Sequence, residues 1–189
     1  MAILPILTAP DPRLKVKSKP VAKVDDEVRK LMDDMLETMH AAPGIGLAAP
    51  QLGVAKRVIV IDIEREGVST GPLRMANPEI IDASDEDASY EEGCLSLPEH
   101  YADVVRPARV KVRYLDHQNE IRTIEAEGLL ATCLQHEIDH LDGILFVDHI
   151  SALKRNMILR KLVKARKEAE LDTQSSGPVK IAAHKTAAL

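Results

Sequence analysis

The chain is 189 residues long, enough for one domain with a substantial core that needs no disulfides. Hydrophobic residues make up 45% and charged residues 29%; with no tryptophan and a single phenylalanine, Phe146, that core must be built of aliphatics and methionine. The net charge of -5 gives no electrostatic case for general nucleic-acid binding, DNA included, and no window approaches the ~20 apolar residues needed to cross a bilayer.

The N-terminal stretch has no basic region before its short apolar run and is broken by Pro5 and Pro10. It therefore reads as neither a signal nor a transit peptide, and the cytoplasm is the expected compartment. Cys94 and Cys133 are the only cysteines; in a reducing compartment metal binding and simple burial are the competing explanations for them, not a disulfide. Residues 1 to 24 carry Pro5, Pro10, Pro12 and Pro20 and read as an extended entry arm with one short helical turn after Asp11. Asp25 or Asp26 then caps a helix, in which Val28, Leu31, Met32, Met35, Leu36 and Met39 follow the i, i+3, i+4, i+7 spacing of a buried stripe. It ends at Ala42-Pro43-Gly44.

The small, apolar run from Gly44 to Gln51 follows. Its glycines allow close approach of backbone to a ligand or another segment, and Gln51 is its one polar side chain. Arg57 to Ile63 reads as a buried strand, Glu64 to Pro72 as a surface loop, and Leu73 to Ala76 as a second strand. Asp82 to Glu92 is acidic and shows no stable periodicity. Ala108 to Leu115 alternates strictly, turns at Asp116 to Asn119 and returns through Glu120 to Ala126, which predicts a hairpin with one polar face.

Next comes His136-Glu137-Ile138-Asp139-His140, the H-E-x-x-H pattern. On a helix, positions four apart share a face, so both imidazoles reach one metal ion, and Glu137 stands beside that ion, where a general base for water belongs. Leu129, Leu130, Cys133, Leu134, Ile138 and Leu141 supply apolar positions at helical spacing, and Gly143 is placed for a C-terminal cap. A charged amphipathic helix with two incidental histidines is the competing reading. Leu145 to Val147 reads as a short strand, Ser151 as the cap of a last helix, and the chain beyond Glu170 as a disordered tail. Strands in clusters with long helices at either side, without βαβ alternation, place the chain in the α+β class.

A catalytic site of this kind needs a third protein ligand. No further histidine stands at the spacing of an extended H-E-x-x-H motif, and Cys94, Cys133, His100, His117, His149 and several carboxylates remain open. Cys94 adjoins Gly93, so its backbone can bend toward the helix.

Three stretches together, Gly44 to Gln51, Glu92-Gly93-Cys94-Leu95-Ser96 and Gln135 to Gly143, resemble the three motifs of the peptide deformylases in order and spacing. The likeness covers roughly residues 1 to 170. It implies mostly antiparallel sheets packed around a central H-E-x-x-H helix, with a C-terminal helix, in one catalytic domain of residues 1–170. It also implies that Cys94, His136 and His140 hold one divalent metal ion, Fe(II) in the cell, with Zn(II), Ni(II) or Co(II) as possible substitutes. The implied reaction removes the N-formyl group from the initiator methionine of nascent polypeptides and releases formate. Glu137 would act as base and then acid, and Gln51 with the backbone N–H of Leu95 would donate to the oxyanion. Ile45, Tyr90, Leu129, Thr132 and Cys133 would line the methionine pocket, and Gly46 and Gly93 would offer backbone to the peptide.

The chain departs from many bacterial relatives in having Tyr101 near a place often held by a peptide-contacting arginine, and it carries Pro50 before Gln51. The resemblance further implies a monomer whose basic last helix docks on the ribosome near the peptide exit. Two other readings are an ordinary H-E-x-x-H metallopeptidase, for which no downstream ligand motif is evident, and a non-catalytic, metal-stabilised ribosome-binding module. Against the second stand the retained Glu137, Cys94 and Gln51.

Overall fold

The computed structural model describes residues 2–65 and 68–175. Its first long element is α1, Asp26–Ala41, capped by Asp25, whose carboxylate accepts from the Val28 N–H at 3.0 Å. Val28, Met32, Met35, Leu36 and Met39 are buried, as their spacing predicts, and Leu31 packs at the edge of the same cluster. The expected turn after Asp11 is a 3-10 helix over Pro12–Lys15.

Among the described residues nine strands follow: β1 Gly46–Ala48, β2 Val58–Ile61, β3 Glu64–Arg65, β4 Val68–Ser69, β5 Leu73–Ala83, β6 Asp87–Cys94, β7 Leu97–Pro107, β8 Arg109–Leu115 and β9 Ile121–Glu127. Two helices close the described chain, α2 Gly128–Leu141 and α3 Ala152–Ser175. Five strands form one antiparallel sheet in the order β1-β2-β5-β8-β9, while β6 and β7 make a separate antiparallel ribbon.

The unbroken apolar run Val58–Ile61 is explained by its place in the sheet. Val58 and Val60 face the methionines of α1, and Ile59 and Ile61 face Leu134, Ile138 and Leu141 of α2. A strand covered on both faces has no polar side to show. Each such aliphatic side chain contributes about 1.5–3 kcal/mol by leaving water. Helix α2, with its two histidines, is thereby pressed against the centre of the sheet. This is the α+β class expected.

Four expectations need correction. The acidic stretch after Asp82 is not irregular: β5 runs to Ala83, and β6 pairs residue by residue with β7, from Asp87 opposite Pro107 to Gly93 opposite Tyr101. Its acidic and small residues have low strand preference alone, and pairing with β7 overrides it. The segment read as a loop contains the short β3–β4 pair. Leu145 to Val147 is not a strand but leads into a 3-10 turn over Phe146–His149, closed by the Asp148 carboxylate on the Leu145 N–H at 2.8 Å. Finally, α3, whose first turn is capped by Ser151, continues past Glu170 to Ser175; the rest of the expected tail, 176–189, lies outside the described residues.

Candidate metal centre

Helix α2 sets His136 and His140 on one face, ring centroids 5.0 Å apart. Cys94, at the end of β6, brings its Sγ to 3.3 Å from Nε2 of His140. The ligand atoms of the three residues lie within 4.8 Å of one another, the one such group among the described residues. The other sulfur and two of the other candidate imidazoles are engaged elsewhere. Cys133 Sγ faces the Ile45 carbonyl at 3.9 Å, His100 bonds the Pro98 carbonyl, and His149 bonds Asp139.

A thiolate with two imidazoles is a donor set suited to zinc or ferrous iron. Two further observations fit a cation here. Nδ1 of His136 lies 2.8 Å from Glu92 Oε2, which leaves its Nε2 for the Cys94 side, the usual arrangement behind a ligating histidine. Glu137 Oε2 is buried with no hydrogen-bond partner in the protein, and beside the three donor atoms such an oxygen is placed to be satisfied by a water or ligand from outside the chain.

The polar groups around this trio are individually held. Glu137 is 4% exposed, and burial pushes its carboxyl up to about 7. Its Oε1 lies so close to Gly46 that a Cβ added there would stand 2.4 Å away. Gln51, 1% exposed, accepts from the Ala48 N–H through Oε1 at 2.8 Å and turns Nε2 toward Ser96 Oγ at 3.1 Å and Cys94 Sγ at 3.6 Å. Phe146, the single phenylalanine, stacks on His136 at 6.3 Å between centroids.

Residues that the sequence reading passed over support this arrangement. Arg106, 6% exposed, donates Nε and Nη2 to the two oxygens of Glu92 at 2.6 and 3.1 Å and Nη1 to Asp139 Oδ2 at 2.8 Å. Burial alone would raise the Glu92 carboxyl; bonds from His136 and Arg106 outweigh it and hold the group at about 2. Burial would likewise lower His136, and its bonds to Cys94 and Glu92 raise it well above its ordinary value instead. Glu92 and Asp139 lay inside the quoted motifs. Arg106 carried no signal: it stands between Val105 and Pro107 near the end of a strand.

In front of these three residues opens a cleft of about 730 Å³. Every residue expected to touch substrate lines it: Ile45, Gly46, Tyr90, Gly93, Leu129, Thr132 and Cys133, together with Gln51, Cys94, Leu95, His136 and Glu137. His140 lies behind them, 1% exposed. Arg65 and Tyr101 stand on the cleft's lining as well, Tyr101 64% exposed with its ring laid against Gly93, where a Cβ would come within 2.5 Å of it.

An α+β chain that gathers a cysteine sulfur, two imidazoles and a buried glutamate at one cleft has the parts of a metallohydrolase. The family model for polypeptide deformylase matches residues 3–156, and the chain belongs to that family of metal-dependent hydrolases acting on N-formylmethionyl peptides. The peptide deformylase of Phenylobacterium zucineum is 62% identical over 169 residues, covering 89% of this chain and all of that protein. The crystal structure of peptide deformylase from Ehrlichia chaffeensis superposes with a TM-score of 0.86 at 45% identity, covering 90% of this chain and 99% of that one. A second Ehrlichia chaffeensis structure, in complex with actinonin, gives a TM-score of 0.84 at 47% identity over 87% and 98%. No helix among the described residues is long and apolar enough to cross a membrane.

Proposed function

We propose that the chain removes the formyl group from the initiator methionine of newly made polypeptides, releasing formate. The carrying observation is the Glu137 carboxylate, buried with one oxygen unpartnered, in a cleft shared with Gln51, Cys94 and His136. Cys94, His136 and His140 would hold a divalent cation, Fe(II) natively with Zn(II), Ni(II) or Co(II) as substitutes, which when bound would supply Lewis acidity at the formyl carbonyl and lower the pKa of water.

Glu137 takes a proton from water as its oxygen adds to the formyl carbon. The same carboxyl then delivers that proton to the amine nitrogen as the C–N bond breaks, leaving a free α-amine and formic acid, whose remaining water-derived proton passes to solvent or the amine to give formate. Gln51 Nε2 and the Leu95 N–H donate to the carbonyl oxygen as negative charge grows on it; one such donor stabilises the barrier by about 3–4 kcal/mol in comparable sites. Ile45, Leu129, Thr132, Cys133 and Tyr90 take the methionine side chain, and Gly46 and Gly93 pair with the peptide in a strand-like mode. An apolar pocket separates side chains by only ~1–3 kcal/mol per methylene, so methionine is preferred without being obligatory.

The test is formate release from formyl-Met-Ala-Ser by protein carrying Fe(II) under anaerobic conditions or reconstituted with Ni(II). Turnover that disappears in Glu137→Ala with metal still bound supports the assignment. Metal-replete protein that turns over neither formyl-Met nor ordinary peptides would return the chain to the binding-module reading.

Ribosome docking through α3 is part of the same proposal. Lys154, Arg160, Lys161 and Lys167 are exposed on it and make no ion pair among the described residues, while Arg155, Lys164 and Arg166 pair with Asp148, Glu168 and Glu170. Unpaired cations on one helix suit an RNA phosphate surface. Co-sedimentation with ribosomes that persists after all four are changed to glutamate would sink this part.

A further inference from the structure

The N-terminal arm touches both sides of the cleft's polar machinery. Its backbone N–H groups divide into two pairs. Ala2 and Leu4 donate to α1, the first to Asp34 Oδ1 at 2.8 Å and the second to Thr38 Oγ1 at 3.0 Å. Leu7 and Ala9 donate to the site, the first to the Gln51 carbonyl at 2.7 Å and the second to the Ser96 carbonyl at 2.8 Å. Residues two apart in extended chain present their N–H groups to one side. Pro5, which has no N–H, lies where the arm passes from one partner to the other. Ala9 is buried, and Ile6 and Leu7 pack against separate core clusters, so the arm is held along its length.

Gln51 and Ser96 come from segments 45 residues apart, joined directly by the 3.1 Å bond between Gln51 Nε2 and Ser96 Oγ. Gln51 Nε2 makes that link, to Ser96 Oγ and, at 3.6 Å, to Cys94 Sγ, and one side-chain amide on rotatable bonds does not by itself set the separation of the two backbones. Two successive outward N–H groups of one arm hold them at a two-residue span, about 7 Å. The same segments carry the Gln51 amide and the Leu95 N–H. We infer that the N-terminal arm braces the oxyanion hole, with Leu7 and Ala9 as positioning residues that set the separation of its two donors. The inference rests on the oxyanion role proposed above for Gln51 and Leu95. It gives the arm a catalytic consequence beyond its part in the core.

A double-mutant cycle on the full-length, metal-loaded enzyme tests it, with kcat and KM read separately for formyl-Met-Ala-Ser. Leu7→Pro deletes the N–H in an arm already rich in proline, and Leu7→Ala deletes the side chain but keeps the N–H. Leu7→Pro is expected to lower kcat about tenfold below Leu7→Ala, with KM and metal content matching those of Leu7→Ala. In a Gln51→Ala background the same change should cost less than about twofold, because the donor it positions is already gone. Hydrogen exchange on metal-free protein gives a readout independent of turnover: residues 49–52 and the Ala9 amide should exchange faster in Leu7→Pro than in Leu7→Ala.

Should Leu7→Pro fail to fold, Thr38→Val decides, since it unties Leu4 at the arm's far end while keeping side-chain shape; kcat should fall about two- to threefold with KM unmoved. Equal kcat for Leu7→Pro and Leu7→Ala, a tenfold loss that survives Gln51→Ala, or an unchanged kcat in Thr38→Val when that variant decides, overturns the brace. A Gln51→Ala variant with undiminished kcat overturns the oxyanion role itself, and the brace with it.

Discussion

Glu92 Oε2 lies 2.8 Å from Nδ1 of His136, while both of its oxygens also accept from Arg106. One carboxylate thus orients the imidazole proposed to bind the metal, and one guanidinium orients the carboxylate. Replacing Glu92 with Gln keeps the shape and removes the charge. The expected result is a metal affinity weakened about 10- to 100-fold, read by chelator competition with the fold intact by circular dichroism. Unaltered affinity would mean that Glu92 serves the fold alone.

Arg106 joins Glu92 to Asp139, and Asp139 in turn bonds His149 at 2.7 Å. Arg106→Ala therefore removes the one cation shared by two carboxylates, one of them well buried, and leaves each with a histidine as its remaining side-chain partner. A loss of about 3–5 kcal/mol of stability is expected, measured by denaturant titration. A loss below 1 kcal/mol, on the order of a surface pair, would contradict the buried-network account.

Gly46 leaves room for Glu137 where any Cβ would sit 2.4 Å from Oε1 and 2.9 Å from Cys133 Sγ. Gly46→Ala must displace the carboxylate to which the proposed function assigns proton transfer. We expect kcat to fall by about 100-fold, the effect of misplacing a reacting group by about 1 Å, with metal stoichiometry unchanged. Activity within twofold of the parent would show that Glu137 has slack the structure does not suggest.

Asp116 closes the β8–β9 turn. Burial pushes its carboxyl up, but bonds from Arg122 and from the Glu120 and Gln118 N–H groups hold it below its ordinary value. With the folded pKa depressed, its stabilisation is present above the unfolded value of about 4 and disappears as the pH falls through the folded value. Asp116→Asn should thus be less stable at pH 7 and show a shallower loss on acidification. Parallel stability curves for variant and parent would refute the assignment.

Much of this molecule is legible without coordinates. The methionine stripe of α1, the alternation of β8 and β9, and the H-E-x-x-H spacing in α2 each encode a local period, and local periods survive in a linear string. Composition excluded a membrane span, and the three short motifs together pointed to a family. The residues alone left the third ligand open among six kinds of candidate; the likeness singled out Cys94, and the geometry brings that sulfur to His140.

What the string could not carry is anything fixed by a partner far along the chain. The acidic residues of β6 become a strand only because β7 pairs with them, and Leu145 to Val147, apolar enough for a strand, finds a 3-10 turn closed by Asp148. Arg106 acquires its importance from Glu92 and Asp139, fourteen and thirty-three residues away, and Leu7 acquires its own from a backbone oxygen at Gln51. The sequence by itself determined the helices, the hairpin and the family to which the three motifs belong. Tertiary packing decided which buried charges hold those groups in place, because a buried ion finds its partner by proximity in space and leaves no period behind.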